Sequence, residues 1–571
     1  MLVTYRKKLI DKKDFDTDSI IDILLKERNI TDKKLFLHPP RPENLTLSDF
    51  GYAKEWKKTA KLLKKIYQDK SMVVVYSDYD ADGVTGAATL WESLHLLGFN
   101  AMPYVPDRKK EGYGFSIKGI DAVKKQYNPA LIISVDHGIT AREKITYAKS
   151  IGIPVVVTDH HLKPEKLPDD AVSIFHIPVL SGSGVAYYFA KEVFNEFKSA
   201  LPETKRDHLT QHFKNEYPIL AAIGTVADLV ALVGPSRNLV YHGLESAIHT
   251  KRRGLLEIMS QAGITGKKIT PYEVGFIIAP RINAVGRLRN AIDALRLLCT
   301  TNSKRAAELA GEMGSMNKSR QDMVKKSVEE ALLHIKASAG QAKKIPKIIT
   351  LVSDTWHEGV IGLIASKIAQ EYYRPTIVMT KSDGFLKGSA RSVGTFHLTN
   401  FLRKLKEHLV DVGGHQGAAG FTIEKAKLKP FLKAVEKASK TEVTDAHLEK
   451  KIVADLKIPL SSVTRSLALA IETLQPFGVG NTQPTFLSEV ELVDAKLMGK
   501  TNNHLKMFVK EPNSESPPLE LIAFSQGERF KELSTGMKLT VVYSLEINRW
   551  GGNEKLQGRL IYSNFTDRDF P

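Results

Sequence analysis

Three short apolar runs, each stopping at acidic or imidazole residues, constrain this chain more than any other feature. MVVVYS (72–77) runs into Asp78, Asp80 and Asp82. LIISV (131–135) ends at Asp136 and His137, and IPVVVT (153–158) ends at Asp159, His160 and His161. Short β-rich runs of this kind suit strands buried on both faces. Helical pattern lies between them, as in VTGAATLWESLHLLG (84–98), which is amphipathic and closed by glycine. Strand–helix–strand alternation predicts a parallel sheet. In an open parallel sheet ligands bind beyond the carboxyl ends of the strands, so these side chains are aimed at one crevice. Residues 183–260 read as mostly helical and bring in a further acid, Asp228, within GTVADLV (224–230).

Carboxylates gathered in one place repel one another and are costly to desolvate without cations. Oxygen ligands mixed with imidazole suit Mn²⁺ or Mg²⁺. The single cysteine, Cys299, excludes an intramolecular disulfide and a cysteine-rich zinc site, and makes a reducing cytoplasm the expected compartment. With this many acids, two ions about 3.5–4 Å apart are expected, and Asp136, alone at the end of the middle strand, is the candidate bridge. Each part has a plainer reading. Asp-x-Asp-x-Asp-Gly (78–83) also opens an EF-hand loop, but a strand precedes it here and Thr89 stands where the bidentate glutamate belongs. A lone strand-end aspartate is usually a cap or turn former, and His160 and His161 alone would pass as surface residues. Three such ends together favour a site.

A chain of 571 residues is too long for one core. Residues 1–50 read as a helical lead-in ending in HPPRPEN, and 51–290 as the acid-bearing α/β domain. The charged, alanine-rich stretch over 291–345 predicts a long connecting helix or helix pair. KIITLVSD (347–354) restarts a strand and opens a second α/β domain over 346–445. Short alternating strands with turn clusters over 446–571 predict a small β-barrel. No run of about 18 apolar residues marks a membrane span, and the charged start MLVTYRKKLIDKKDFD lacks the apolar core of a secretory signal. Lysine and arginine number 82 against 64 acids, a net charge of +18. That balance favours a polyanionic partner, nucleic acid first, because neutralised phosphates release counterions; a basic enzyme kept soluble by its lysines is the alternative.

Asp78-x-Asp80-x-Asp82-Gly83 with Asp159-His160-His161 resembles the signature of the DHH phosphoesterase superfamily, and GGHQGAAG (413–420) resembles that of its associated DHHA1 domain. PDR and EGYG (106–114), PRINAVGR (280–287), WHEGVIG (356–362), GSARS (388–392) and LQPFG (474–478) are similar, in order, to motifs of the RecJ branch. The resemblance implies a multidomain α/β protein: a parallel-sheet DHH domain, a long helix, a DHHA1-type domain and an all-β OB-fold barrel. It implies Asp80, Asp82, Asp136, His160 and Asp228 as ligands of two ions, with Asp78 a ligand or an acid that orients them. Related phosphatases have a histidine where Tyr76 stands here, which leaves the ligand set of the first ion open. His161 would face the scissile phosphate. Ser389, Arg391 and Arg108 would hold a 5′ phosphate, Tyr113 would stack on a base, Arg281 would contact the backbone and His415 would lie near the nucleotide. Arg108 and Arg281 as salt-bridge partners and Tyr113 as a loop anchor are the structural alternatives; Phe508, Phe524 and Trp550 in the barrel could stack bases or equally be core, and stay unassigned.

The implied activity is single-stranded-DNA-specific 5′→3′ exonuclease action releasing 5′-mononucleotides, in recombination and repair. Single-stranded DNA, a helicase and a single-strand-binding protein are the implied partners of a monomer. Some relatives carry a further C-terminal domain, for which this chain is expected to be too short. Two competitors are weaker. A phosphodiesterase for oligoribonucleotides or cyclic dinucleotides would generally lack the barrel, and a non-catalytic scaffold of the same fold would show eroded ligands.

Overall fold

Val73–Ser77, Leu131–Val135 and Val155–Asp159, the three runs that lead into acids, are strands buried along their whole length in the computed structural model. The structure describes residues 2–8, 16–108, 110–342, 345–382, 384–550 and 552–564. The chain divides into two compact units. One comprises Asp32–Lys318 with the short segment Leu474–Gln483; the other comprises Met1–Thr31, Ser319–Thr473 and Pro484–Pro571.

The first unit holds a five-stranded, wholly parallel sheet. Its order is Ala101–Tyr104, Val73–Ser77, Leu131–Val135, Val155–Asp159, Ser173–His176. The chain leaves Val73–Ser77 for one neighbour and then returns to the other side, so the order reverses between Val73–Ser77 and Leu131–Val135, where such sheets bind ligands. Both faces are covered. Helices Ala81–Leu97, Gly182–Phe197 and Tyr217–Ala227 share one large core with Val73, Val75, Ile133 and Val135. Ile120, Val123, Ile145 and Ala148, from helices Ile117–Tyr127 and Arg142–Ser150, pack with Val74, Ile132 and Val157 on the other face. Each valine buried this way contributes about 1.5–3 kcal/mol, enough to hold strand ends that carry unfavourable charge.

The second unit has a five-stranded mixed sheet, Asp411–His415, Ala418–Glu424, Phe385–Arg391, Thr376–Ser382, Ile349–Val352, parallel only in its last pair. It also has the expected barrel. Strands Thr485–Met498, His504–Lys510, Leu519–Ala523, Asn553–Ser563 and Lys538–Trp550 pair in turn, and the last closes on the first. The connecting stretch is a short helix, Ile292–Cys299, followed by a 40-residue helix, Ser303–Ala342. Asn302 ends the break between them by accepting from the Arg305 amide at 3.0 Å, as an N-cap does.

The lead-in is corrected in part: it has helices, Thr17–Glu27 and Lys33–Leu37, but it opens with a strand, Leu2–Lys8, which pairs in parallel with Lys451–Lys457 beside the barrel. Its β-branched and aromatic start favours a strand, and its charged, exposed residues suit a sheet edge. Residues 9–15 of that lead-in lie outside the described ones. Among the described residues no helix is long and apolar enough to cross a membrane.

Candidate metal centre and nucleic-acid contacts

Strand register brings the acids together. Ser77 is level with Val135, Val135 with Thr158, and Asp159 with His176, so Asp78, Asp136 and His160 each leave the sheet at the same edge. Asp80 is the N-cap of helix Ala81–Leu97, its Oδ1 accepting from the Asp82 and Gly83 amides at 3.0 Å. Asp82 in the first turn is fixed by the start of helix Gly182–Phe197, whose Gly182 and Ser183 amides donate to it at 2.6 and 2.9 Å. A side chain at Gly182 would lie 2.4 Å from the Asp136 carboxylate, and one at Gly224 2.2 Å from that of Asp82, so the floor of the site admits only glycine at these points. Asp136 itself has φ 68°, and Leu229, directly after Asp228, has φ 59°. Left-handed backbone at non-glycine residues is strained, and it collects at functional sites.

His160 stands at the centre. Its Nε2 lies 3.1 Å from Asp136, 3.4 Å from Asp228 and 3.7 Å from Asp82. Three sets of donor atoms lie within 4.8 Å of one another: Asp136 with His160 and His161, Asp82 with His160 and Asp228, and Asp78 with Asp80 and Asp136. Asp136 belongs to two of them. The Oδ1 atoms of Asp78 and Asp136 and Nε2 of His160 are buried without a hydrogen-bond partner. A buried carboxylate left so is costly, and a divalent cation is what these oxygens and this imidazole fit.

Electrostatics agree. Burial, then the Asp80 charge, pushes the Asp78 carboxyl well above the usual range, and burial, then Asp82, does the same to Asp136. Asp80 is also raised, by burial and then Asp82. Asp228 is pushed up to about 8 by burial, Asp82 and Asp80. Asp159 goes the other way. Burial opposes it, but a 2.8 Å hydrogen bond to His161 Nδ1, that ring's charge and the amides of Ile139 and His161 hold its carboxyl low. In return His161 is pushed up to about 9: burial works against its charge, and the Asp159 hydrogen bond and charge outweigh it. Asp159 therefore serves His161, which presents Nε2 to the site as part of a charged ring.

Of the other expected residues of this unit, Tyr113 is placed at the centre. Its hydroxyl is 3.0 Å from His161 Nε2, while its ring stays half exposed. Arg108 lies over the Tyr79 ring, 5.2 Å from its centroid, a cation–π contact. Arg281 is half-buried; its Nη1 donates to the Ile277 carbonyl at 2.7 Å and its Nε has no partner.

In the second unit, Ser389 and Arg391 lie on one strand, and Arg391 Nη1 donates to Ser389 Oγ at 3.0 Å and to the Ala390 carbonyl at 2.9 Å. Burial lowers the Arg391 pKa, and no carboxylate pairs with it among the described residues. His415 ends an exposed hairpin strand in register with Ala418. On the barrel, Phe508 and Phe524 face outward, at least in part, on adjacent strands or their ends. Lys496 and Lys555 lie 5.5 and 5.9 Å from the Phe508 ring, and Arg559 lies 5.3 Å from Phe524. The core alternative for these two rings fails.

Several supporting residues carry no local signal. Asn283, inside PRINAVGR, accepts from the Ala81 amide at 2.8 Å and so holds the turn after Asp80. His176 Nε2 is 2.6 Å from the His161 carbonyl. The LQPFG motif belongs to Leu474–Gln483, and there the Val479 carbonyl accepts from the Leu232 amide at 2.7 Å, fastening the loop that follows Asp228. The Ser-Gly-Ser-Gly (181–184) before an apolar helix was the one readable hint of the Asp82 anchor.

Family models match three stretches: the DHH family N-terminal domain over residues 72–225, the DHHA1 domain over 345–441 and the RecJ OB domain over 454–562. The single-stranded-DNA-specific exonuclease RecJ of Haemophilus influenzae is 33% identical over 513 residues, 87% of this chain and 88% of that protein. That of Bacillus subtilis is 32% identical over 535 residues, 92% of this chain and 65% of that protein. The crystal structure of RecJ in complex with Mn²⁺ from Thermus thermophilus superposes with a TM-score of 0.78 at 27% identity, covering 98% of this chain and 79% of that one. By this similarity and by its domain order, the chain belongs to the RecJ family.

Proposed function

We propose that the chain is a metal-dependent exonuclease specific for single-stranded DNA, working 5′→3′ and releasing 5′-mononucleotides in recombination and repair. The observation that carries this is the cluster of buried, hydrogen-bond-starved carboxylates around His160 in a RecJ-family fold. Asp78, Asp80, Asp82, Asp136, His160 and Asp228 would hold two Mn²⁺ or Mg²⁺ ions, with Asp136 shared. When bound, such ions draw charge from a phosphate and lower the pKa of water. His161, charged and fixed by Asp159, supplies a positive N–H at Nε2 for a non-bridging phosphate oxygen. The Tyr113 hydroxyl now on that nitrogen gives way to substrate, leaving its exposed ring for a base. Arg391 and Ser389 are read as 5′-phosphate contacts, Arg108 as a further one, and His415 as a contact of the nucleotide. A guanidinium fork matches phosphate geometry.

The barrel supports the preference for single strands. Phe508 and Phe524, each beside cationic side chains, offer what unpaired bases stack on, about 1–3 kcal/mol per base. The domains are read as 51–290, 346–445 and 446–571, with 291–345 connecting. A cytoplasmic monomer acting with a helicase and a single-strand-binding protein completes the proposal.

The test is digestion of end-labelled oligonucleotides with each metal, with and without a 5′ phosphate, as single strand and blunt duplex. Mononucleotides released from the 5′ end of single strands are expected. Equal rates on duplex, or full activity in Asp136→Ala, would overturn it.

A further inference from the structure

Beside the Asp228 loop lies a cavity of about 390 Å³ to which nothing above assigns a ligand. Three segments wall it: the residues either side of Asp228, the helical run from Pro271 to Asn283, and Phe477 to Val479 of the LQPFG region. It therefore shares Asn283 with the turn that carries Asp80. No charged side chain lines it. Tyr272 and Phe276 stack there with centroids 5.0 Å apart and ring planes at 29°, yet they are 59% and 70% exposed, and Leu229 is 70% exposed. Contiguous bare apolar surface of this kind marks a binding site.

The backbone beneath is unusual in the same place. Val274–Ile278 forms a π-helical turn between Pro271–Glu273 and Ala279–Leu288. Pro280 has no N–H to donate to the Phe276 carbonyl four residues back, and one residue further on the Arg281 side chain donates from Nη1 to the Ile277 carbonyl. Single π turns within helices recur at functional sites.

We infer that this cavity is a nucleobase subsite, receiving a base on the 3′ side of the scissile phosphate and stacking it on Tyr272 and Phe276. The inference rests on the nuclease reading above. Flat aromatic surface beside the half-buried guanidinium of Arg281 answers the alternation of base and phosphate in a polynucleotide. A protein helix, roughly 10 Å across, would fill the space in about one turn, too little to dock by. The cavity touches both neighbours of Asp228, so a strand whose phosphate is at the acids passes it.

The experiment pairs modified strands with variants of the full chain. 5′-Phosphorylated oligonucleotides carry one 2-aminopurine, or one abasic residue, at successive positions from the 5′ end. In EDTA, where no turnover occurs, the wild type should quench 2-aminopurine at one internal position, and Phe276→Ala should not. An abasic residue at that position should raise KM about tenfold in the wild type, the scale of one lost stacking contact, and less than twofold in Phe276→Ala, with Phe276→Trp restoring wild-type behaviour. Phe276 is exposed, so its loss should leave circular dichroism unchanged. Equal abasic penalties in wild type and Phe276→Ala, or quenching that persists in the variant, would overturn the subsite. Absence of any degradation of unmodified strands by the wild type would instead overturn the nuclease reading.

Discussion

The acids at the strand ends of the first unit and Arg391 in the second meet the same physical problem with opposite sign. Asp78 and Asp136 are buried with oxygens that no donor reaches, and burial first, then the charge of Asp80 on the one and of Asp82 on the other, pushes their carboxyls upward. Arg391 is a partly buried guanidinium with a hydroxyl and a carbonyl for partners and no carboxylate, and burial pushes its pKa downward. One site is built to suit cations and the other an anion. They differ in how much is held in tension. A cluster of like charges needs a rigid frame, and the first unit supplies it with amides on Asp82, glycines under Asp82 and Asp136, and a left-handed Asp136. A single guanidinium needs little more than space, and a side chain at Gly362 would close it, standing 2.9 Å from Nη2.

The comparison can be broken at either end. Asp136→Asn should lower turnover on the order of 10³-fold, the scale of losing a preorganised electrostatic contact in the transition state. It should also raise the melting temperature of the metal-free protein, because a neutral amide replaces a buried carboxyl whose charged form is disfavoured there. A fall in melting temperature would show that the carboxylate stabilises the fold by itself. Arg391→Ala should cost about 10- to 100-fold in kcat/KM on 5′-phosphorylated strands, the worth of a charge-assisted pair. On strands ending in a 5′ hydroxyl it should cost little. Equal losses on both would make Arg391 structural.

How much of this was legible divides along the same line. The strand-end acids announced themselves because they follow short apolar, β-rich runs, and a strand end in a parallel sheet has a fixed destination; Asp228, at the end of helix Tyr217–Ala227, had no such signal. The barrel was legible from alternation: Leu505, Met507 and Val509 point inward while His504, Lys506 and Phe508 do not. The partners that hold the acids were not legible. Asn283 reaches Ala81, Gly182 reaches Asp82 and Val479 reaches Leu232 across long stretches of chain, and no local pattern encodes such contacts. Arg108 lies on Tyr79 rather than in a salt bridge, and Tyr113 offers a hydroxyl to His161 as well as a ring; residue type gave their chemistry but not which group each would meet. The strand Leu2–Lys8 was missed because its partner lies near residue 450.

A smaller effect sharpens the acid side. With Asp228 raised to about 8 in the folded chain against an ordinary value of 3.8, the folded state binds more protons than the unfolded state between those limits. Stability of the metal-free protein must then fall as pH rises through that window. Since Asp228 is partly exposed, solvent screening reduces the effect to the order of 1 kcal/mol. Melting curves in EDTA from pH 5 to 8 should show the decline, and saturating Mn²⁺ should flatten it, since a bound cation favours the ionised carboxylate. A slope that is the same with and without Mn²⁺ would mean that the acids are not the groups that titrate.

The weakest expected effect belongs to the barrel, where charge is exposed and nothing is held in tension. Phe508 lies between Lys496 and Lys555, and Lys555 is also tied to Glu520 at 2.7 Å, so that surface is already neutralised in part. Phe508→Ala should therefore weaken binding of long single strands by a stacking contact of about 1 kcal/mol, the low end for one base. It should leave cleavage of a dinucleotide unchanged. Loss should appear in the dissociation rate and little in its salt dependence, because no phosphate contact is removed. A large drop in the salt slope would reassign Phe508 from stacking to holding its neighbouring lysines in place.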